Sequence, residues 1–182
     1  SFTGRPNNEW LPTDSFKFTL QADPSDTGTV NAVNNGLIVI GCDELTVTDA
    51  NKAHAHFGNI TFKSAGTYRF IVTEVDEGKA GITYDKTVHT VTVKVEDNGD
   101  GTLKVTASEN ATALNFTNTY AADGSVQFAG TKTLTGKTLA ENEFSFVLTD
   151  EAGNVIETVK SAANGSFAFA PIAYDLDDAG KT

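Results

Sequence analysis

Three polar residues interrupt strand patterns that are otherwise apolar on one side. A β-strand sends alternate side chains to opposite faces, so neighbours two positions away reveal which face a residue takes. In Tyr68-Arg69-Phe70-Ile71-Val72-Thr73-Glu74 this rule puts Glu74 with Tyr68, Phe70 and Val72. In Leu114-Asn115-Phe116-Thr117-Asn118-Thr119-Tyr120 it puts Asn118 between Phe116 and Tyr120. In the run from Val126 to Leu134 it puts Lys132 between Phe128 and Leu134. All three should point into a core. An isolated buried Lys or Glu is costly and tends to neutralise by shifting its pKa. Taken singly, each has an ordinary reading: Glu74 as a rim carboxylate at a strand end, Asn118 as a hydrogen-bonded core amide, Lys132 as a cation snorkelling from an edge strand.

The surrounding sequence is that of an all-β chain. Thr, Val, Gly, Asp and Asn are abundant, Met is absent and Pro is scarce, which suits short strands joined by tight turns. Nothing reads as a long amphipathic helix. Strands are expected near 15–22, 37–41, 44–48, 56–62, 67–76, 87–96, 102–107 and 113–120. Asp97-Asn98-Gly99-Asp100-Gly101 makes the turn of a hairpin with arms Val91, Val93, Val95 and Leu103, Val105. Strands at this spacing predict an antiparallel, immunoglobulin-like sandwich.

An internal repeat sets the domain organisation. Phe2-Thr3-Gly4-Arg5, followed by Phe16-Lys17-Phe18-Thr19-Leu20, recurs as Leu134-Thr135-Gly136-Lys137, followed by Phe144-Ser145-Phe146-Val147-Leu148. Phe57 to Phe62 ahead of Ala65-Gly66-Thr67 recurs as Phe169 to Tyr174 ahead of Ala179-Gly180-Lys181-Thr182. The second copy stops before an equivalent of the Glu74 strand. The repeat predicts tandem sandwich domains: residues 1–120 as one nearly complete domain and 121–182 as the N-terminal half of another, with the small polar stretch Ala121 to Ser125 as hinge.

Charge and cysteine usage narrow the setting. A formal charge of −11 argues against nucleic acid, whose phosphates want a basic face. No apolar run has transmembrane length, so no membrane insertion is expected, and no signal peptide is visible. Cys42 is the single cysteine, so no intrachain disulfide can form; in the apolar stretch from Leu37 it reads as a small buried hydrophobe. An extracellular β-protein without disulfides needs another covalent staple if it must resist force or proteases.

The strings FTGRP, FKFTL, GTYRFIVTEV, GITYD, VTVKVEDNGDGTL and FTNTY, in that order, resemble the streptococcal-type pilin isopeptide linkage domain. That domain belongs to the broader collagen-adhesin B-type group of Gram-positive surface proteins. FAGTKTLTGKTL followed by FSFVL resembles the start of the same domain. In that family a Lys on the first strand is joined to an Asn on the last, with a Glu on a middle strand assisting. The resemblance implies Glu74 as the assisting acid and proton shuttle, polarising the amide carbonyl, Asn118 as the acceptor, and Lys132 as the nucleophile of the second domain. Aligning KTLTGK with SFTGR places the first domain's Lys immediately before Ser1, and the second domain's Glu and Asn beyond Thr182. Lys17 is a poor substitute: it alternates away from Phe16, Phe18 and Leu20, and a one-residue slip would expose all three.

The function expected is therefore a stalk or backbone module of a cell-wall-anchored surface protein, outside the cell. It would be hardened by single-turnover cross-linking rather than work as an enzyme. Partners would be neighbouring domains or subunits, and no cofactor is implied. The alternative is a host-ligand-binding adhesin module using loops such as 24–35 or 49–56. A carbohydrate-active accessory domain should carry an exposed aromatic platform, which Trp10 and the Tyr residues do not suggest. His54 and His56 lack an obvious third metal ligand, and the Asp97 loop lacks the distal bidentate Glu of an EF-hand, so no metal site is expected.

Overall fold

The computed structural model describes residues 1–112 and 114–181. They fall into two compact units, Ser1–Ala121 and Ala122–Thr182. In the first unit the strands are β1 (Phe2–Thr3), β2 (Ser15–Ala22), β3 (Ile38–Ile40), β4 (Glu44–Thr48), β5 (Ile60–Phe62), β6 (Gly66–Glu74), β7 (Ile82–Thr83), β8 (His89–Asp97), β9 (Leu103–Ala107) and β10 (Asn118–Tyr120). One α-helix, α1 (Thr27–Asn34), interrupts them.

The main sheet has five strands in the order β4-β2-β6-β8-β9, all antiparallel. Its inner face is built by alternation. Tyr68, Phe70 and Val72 on β6, and Val91, Val93 and Val95 on β8, are buried, while Arg69 and Lys94 between them are exposed. Phe70 is fully enclosed, the expected result for the middle of a central strand. Ala32 of α1, Ile38 of β3 and Phe116 complete that cluster, with Ile60 and Phe62 of β5 packed against it. A smaller sheet, β1-β10-β7, covers the other end. There Phe2, Phe16 and Tyr84 form a second cluster edged by Trp10 and Tyr120. The result is a two-layer sandwich.

The first unit closes by laying its first strand beside its last. β1 runs parallel to β10, with Phe2 opposite Asn118 and Thr3 opposite Thr119. Gly4 then turns with φ +88°, and a Cβ there would stand 2.0 Å from the Tyr120 carbonyl oxygen. Glycine alone fits, because the turn needs both a positive φ and close approach.

Two expectations are corrected at element scale. Residues 24–35, read as a loop, contain α1, capped by Asp26, whose carboxylate accepts from Gly28 and Thr29 N–H. Cys42, read as buried, is exposed and donates its thiol hydrogen to the Glu44 carbonyl. It lies past the end of β3, in the turn to β4, so the apolar run overshoots the strand. The strand expected over 56–62 is shorter, Ile60–Phe62, and of 113–120 only Asn118–Tyr120 is strand; Ala113 lies outside the described residues.

The second unit contains β11 (Asp123–Val126), β12 (Ala129–Thr131), β13 (Ser145–Thr149), β14 (Val155–Lys160), β15 (Ser166–Ala168) and β16 (Ile172–Asp175). They pair as β11-β16, β12-β15 and β13-β14. Among its described residues Phe169 is the one buried hydrophobic side chain, while Phe128, Val147, Val155 and Ile156 are exposed.

Candidate functional site

Glu74 ends β6 opposite Phe18 of β2 and keeps to the face of Phe70 and Val72. Standing at the strand end, it is only partly buried. That burial pushes its carboxyl above the usual carboxylate range and outweighs the hydrogen bonds it accepts from Asn118 and Asp85. The nearby Asp85 charge pushes the same way, and the Ser1 ammonium opposes it.

Asn118 opens β10, and with Phe116 it points inward while Thr117 and Thr119 point out. It is 3% exposed. Its Nδ2 donates to Glu74 Oε1 at 2.5 Å, and its Oδ1 accepts from the main-chain N–H of Asp85 at 2.9 Å. The same N–H lies 3.1 Å from Glu74 Oε2. A main-chain N–H can only donate, so the carboxamide must turn its oxygen to Asp85 and its nitrogen to Glu74. Glu74 thus touches the nitrogen end of the amide and Asp85 the oxygen end. The sequence expectation had Glu74 polarising the carbonyl; the donor that meets that oxygen here is Asp85.

The first strand is held against this pair. The Ser1 ammonium donates to the Phe116 carbonyl at 2.5 Å, and Asn118 N–H donates to the Ser1 carbonyl at 3.1 Å. A cleft of about 870 Å³ opens beside them, with Ser1, Phe16, Phe18, Glu74, Phe116 and Asn118 in its wall. An acid with a raised pKa, touching the nitrogen of a buried carboxamide among aromatic rings, can pass a proton to that nitrogen as it leaves.

The structure brings Glu74 and Asn118 together in the first unit; Lys132 belongs to the second. Lys132 follows β12, is partly buried, and holds its Nζ 5.0 Å from the Phe144 ring centroid. Its expected apolar neighbour Phe128 is 47% exposed. Lys17 is exposed and pairs with Glu77. His54 and His56 are exposed, and among the described residues no cluster of three His, Cys, Asp or Glu side chains is placed to hold a metal. Trp10 packs its ring on Phe2 and Phe16.

Asp85 is the site residue that strand alternation misses. It lies two residues past Thr83, which pairs with Thr119. Its Oδ2 accepts from Thr117 N–H at 2.7 Å and its Oδ1 from Thr87 N–H at 2.9 Å. The Thr87 hydroxyl first, then those N–H groups, hold its carboxyl below the usual range. The available signal was its type and place: an Asp just past a strand end commonly captures main-chain N–H groups.

The first unit is an all-β sandwich that holds the β6 carboxyl against the carboxamide of its last strand, beside its first. Within that class, residues 1–121 match the family model FctA, described as a Spy0128-like isopeptide containing domain, and the chain belongs to that family. Among solved structures, the major pilin from Streptococcus pyogenes is 16% identical over 94% of this chain and 71% of that one, with a TM-score of 0.45. The T3.2 major pilin from Streptococcus pyogenes serotype GAS13637 is 21% identical over 96% of this chain and 72% of that one, with a TM-score of 0.42. No curated protein matches the chain.

Proposed function

We propose that this chain is a structural module of a Gram-positive surface pilus or adhesin stalk, toughened by an intramolecular Lys–Asn isopeptide bond that Glu74 assists. Family membership supports the structural role. The observation that carries the chemistry is the Glu74 carboxyl on Asn118 Nδ2, beside the first strand.

The amine would come from a lysine one position ahead of Ser1. Phe2 is buried, so by alternation the side chain two positions earlier takes the same inward face, toward the cleft with Glu74 in its wall. Burial among Phe16, Phe18 and Phe116 favours the neutral, nucleophilic amine. Its nitrogen attacks Asn118 Cγ, a C–N bond forms, and the Cγ–Nδ2 bond breaks. The proton lost by the amine passes through Glu74 to Nδ2, and ammonia leaves. Held proximity supplies much of the acceleration. The protein is its own substrate and there is no turnover.

The second unit reads as the opening of a like module. Lys132 takes the same place in KTLTGK that the upstream lysine takes before SFTGR, and its acid and amide would lie on strands after Thr182.

The test is intact mass of the denatured protein followed by peptide mapping around Asn118. A peptide in which Asn118 is joined to an upstream lysine, one ammonia lighter than the sum of its parts, supports the reading. A linear Asn118 peptide in a protein that carries that lysine overturns it. Linkage to a lysine inside residues 1–182 relocates the nucleophile.

A further inference from the structure

Between β7 and β10 one rung of the hydrogen-bond ladder is missing, and its groups have been turned to the Asn118 carboxamide. Ala121 N–H donates to the Gly81 carbonyl, and Thr119 lies opposite Thr83. Hydrogen-bonded pairs in an antiparallel ladder recur every second residue. The next such pair is Thr117 with Asp85, in which Thr117 N–H would meet the Asp85 carbonyl and Asp85 N–H the Thr117 carbonyl. Neither bond is the one made. Thr117 N–H donates to the Asp85 carboxylate instead, and Asp85 N–H donates to Asn118 Oδ1, with Glu74 Oε2 close by. The Asp85 side chain has taken the place of its own main-chain carbonyl. A second anchor, Thr87 N–H on the other carboxylate oxygen, holds that side chain in position.

We infer that Asp85 is a positioning residue for cross-linking: by clamping Thr117 with its carboxylate it frees its own N–H to hold the Asn118 carbonyl oxygen as that oxygen gains charge. The inference rests on the cross-linking reading above and adds to it the group that meets the oxygen. When the amine adds to Cγ, the carbonyl π electrons move onto Oδ1. A main-chain N–H already 2.9 Å away stabilises that charge without rearrangement. The charge returns to re-form the carbonyl as the Cγ–Nδ2 bond breaks, and Nδ2 leaves as ammonia with the proton handed on by Glu74. Because the donor belongs to the backbone, only proline would delete it, and that change would also remove the carboxylate and fix the backbone. What a substitution can do is let the rung re-form and withdraw the N–H.

The clamp and the charge of Asp85 are separable. Asp85→Ala removes both, and the Thr117–Asp85 rung is then free to close. Asp85→Asn keeps an oxygen for Thr117 N–H but loses the charge. The groups facing Glu74 are Asp85 after β7, Asn118 on β10 and, just ahead of β1, the Ser1 ammonium, which an added lysine turns into a main-chain N–H, while His89 on β8 acts on Asp85.

The experiment uses the whole 182-residue chain carrying one added lysine ahead of Ser1, followed by mass spectrometry for ammonia loss after refolding at a series of pH values. D85A should form the bond roughly 100–1,000-fold more slowly, the range expected when an oxyanion donor is withdrawn. D85N should recover most of the rate at its optimum. In both variants the pH limb due to Glu74 should move lower, since the neighbouring negative charge is gone; that shift reads the charge, and the gap in rate between D85A and D85N reads the clamp. If the parent chain links and D85A keeps pace within about twofold, Asp85 has no such role. The same conclusion follows if D85A and D85N are equally slow with an unmoved limb. If the lysine-bearing parent never loses ammonia, the cross-linking reading itself falls, and this assignment falls with it.

Discussion

Glu74 and Asp85 meet at one main-chain N–H, yet their environments drive their carboxyl groups in opposite directions. The consequence for stability can be worked out by sign in a protein without the cross-link. Glu74 is raised in the fold, so its contribution is whole below the unfolded value of about 4.3 and is lost as pH rises through its folded value. Asp85 is lowered, so its contribution is present above about 3.9 and is lost as pH falls through its folded value. Glu74→Gln should therefore gain on the wild type as pH climbs from 4 toward 8, and D85N should cost more at neutral pH than in acid. Urea denaturation across that range reads both; an E74Q difference that ignores pH would mean that Glu74 is not desolvated as described. Asn118→Ala leaves Glu74 Oε1 and Asp85 N–H without their amide partner and should destabilise the unlinked fold by about 1–3 kcal/mol. Glu74 and Asn118 were legible in the sequence because a period of two leaves a polar residue on an apolar face conspicuous. Asp85 was not, because what it presents to the site is main chain, which carries no residue code.

At the scale of elements, legibility follows how much of an element's character is written in side-chain alternation. β2, β4, β6, β8 and β9 carry long or paired alternations, and each lies close to where its pattern places it. α1 was hidden because its eight residues include Gly, Asn and β-branched Thr and Val, which are weak helix formers. Its support is local and tertiary: the Asp26 cap, and the buried Thr29 hydroxyl, which donates to Asp26 and accepts from Arg69 N–H of β6. The cap was the one cue on view, an Asp ahead of the segment. Asp26→Ala should then cost about 1 kcal/mol, read from the midpoint of a urea curve, and should speed hydrogen exchange over residues 27–34 before it touches β8. Equal loosening of β8 would mean that α1 and the main sheet open as one. At the other end Gly4 ties β1 to Tyr120 by close approach, which makes the placement of the first strand a backbone matter rather than a hydrophobic one.

For the molecule as a whole, the proposed bond matters because of where the chain ends of the first unit lie. β1 and β10 are neighbours, so a bridge from the residue ahead of Ser1 to Asn118 encloses nearly all of Ser1–Ala121. Closing a loop of about that length removes unfolded-state entropy equivalent to roughly 4–5 kcal/mol, by the reasoning used for disulfides. For a unit of this size that corresponds to a rise in melting temperature of about 15–20 °C. The comparison is between the lysine-bearing chain and its Glu74→Ala variant, in which the amine and the amide remain but the proton shuttle is gone. Calorimetry should show the first unit melting far higher in the linked protein. The second unit has its own sheets and should melt at the same temperature in both. A pull applied at the two ends of the linked unit would load the covalent bridge before the β1–β10 ladder, so single-molecule extension should find no unfolding length between them. An E74A chain that melts with the parent, or a parent that extends by the length of the first unit under force, would mean that the first and last strands are held by packing and hydrogen bonds alone.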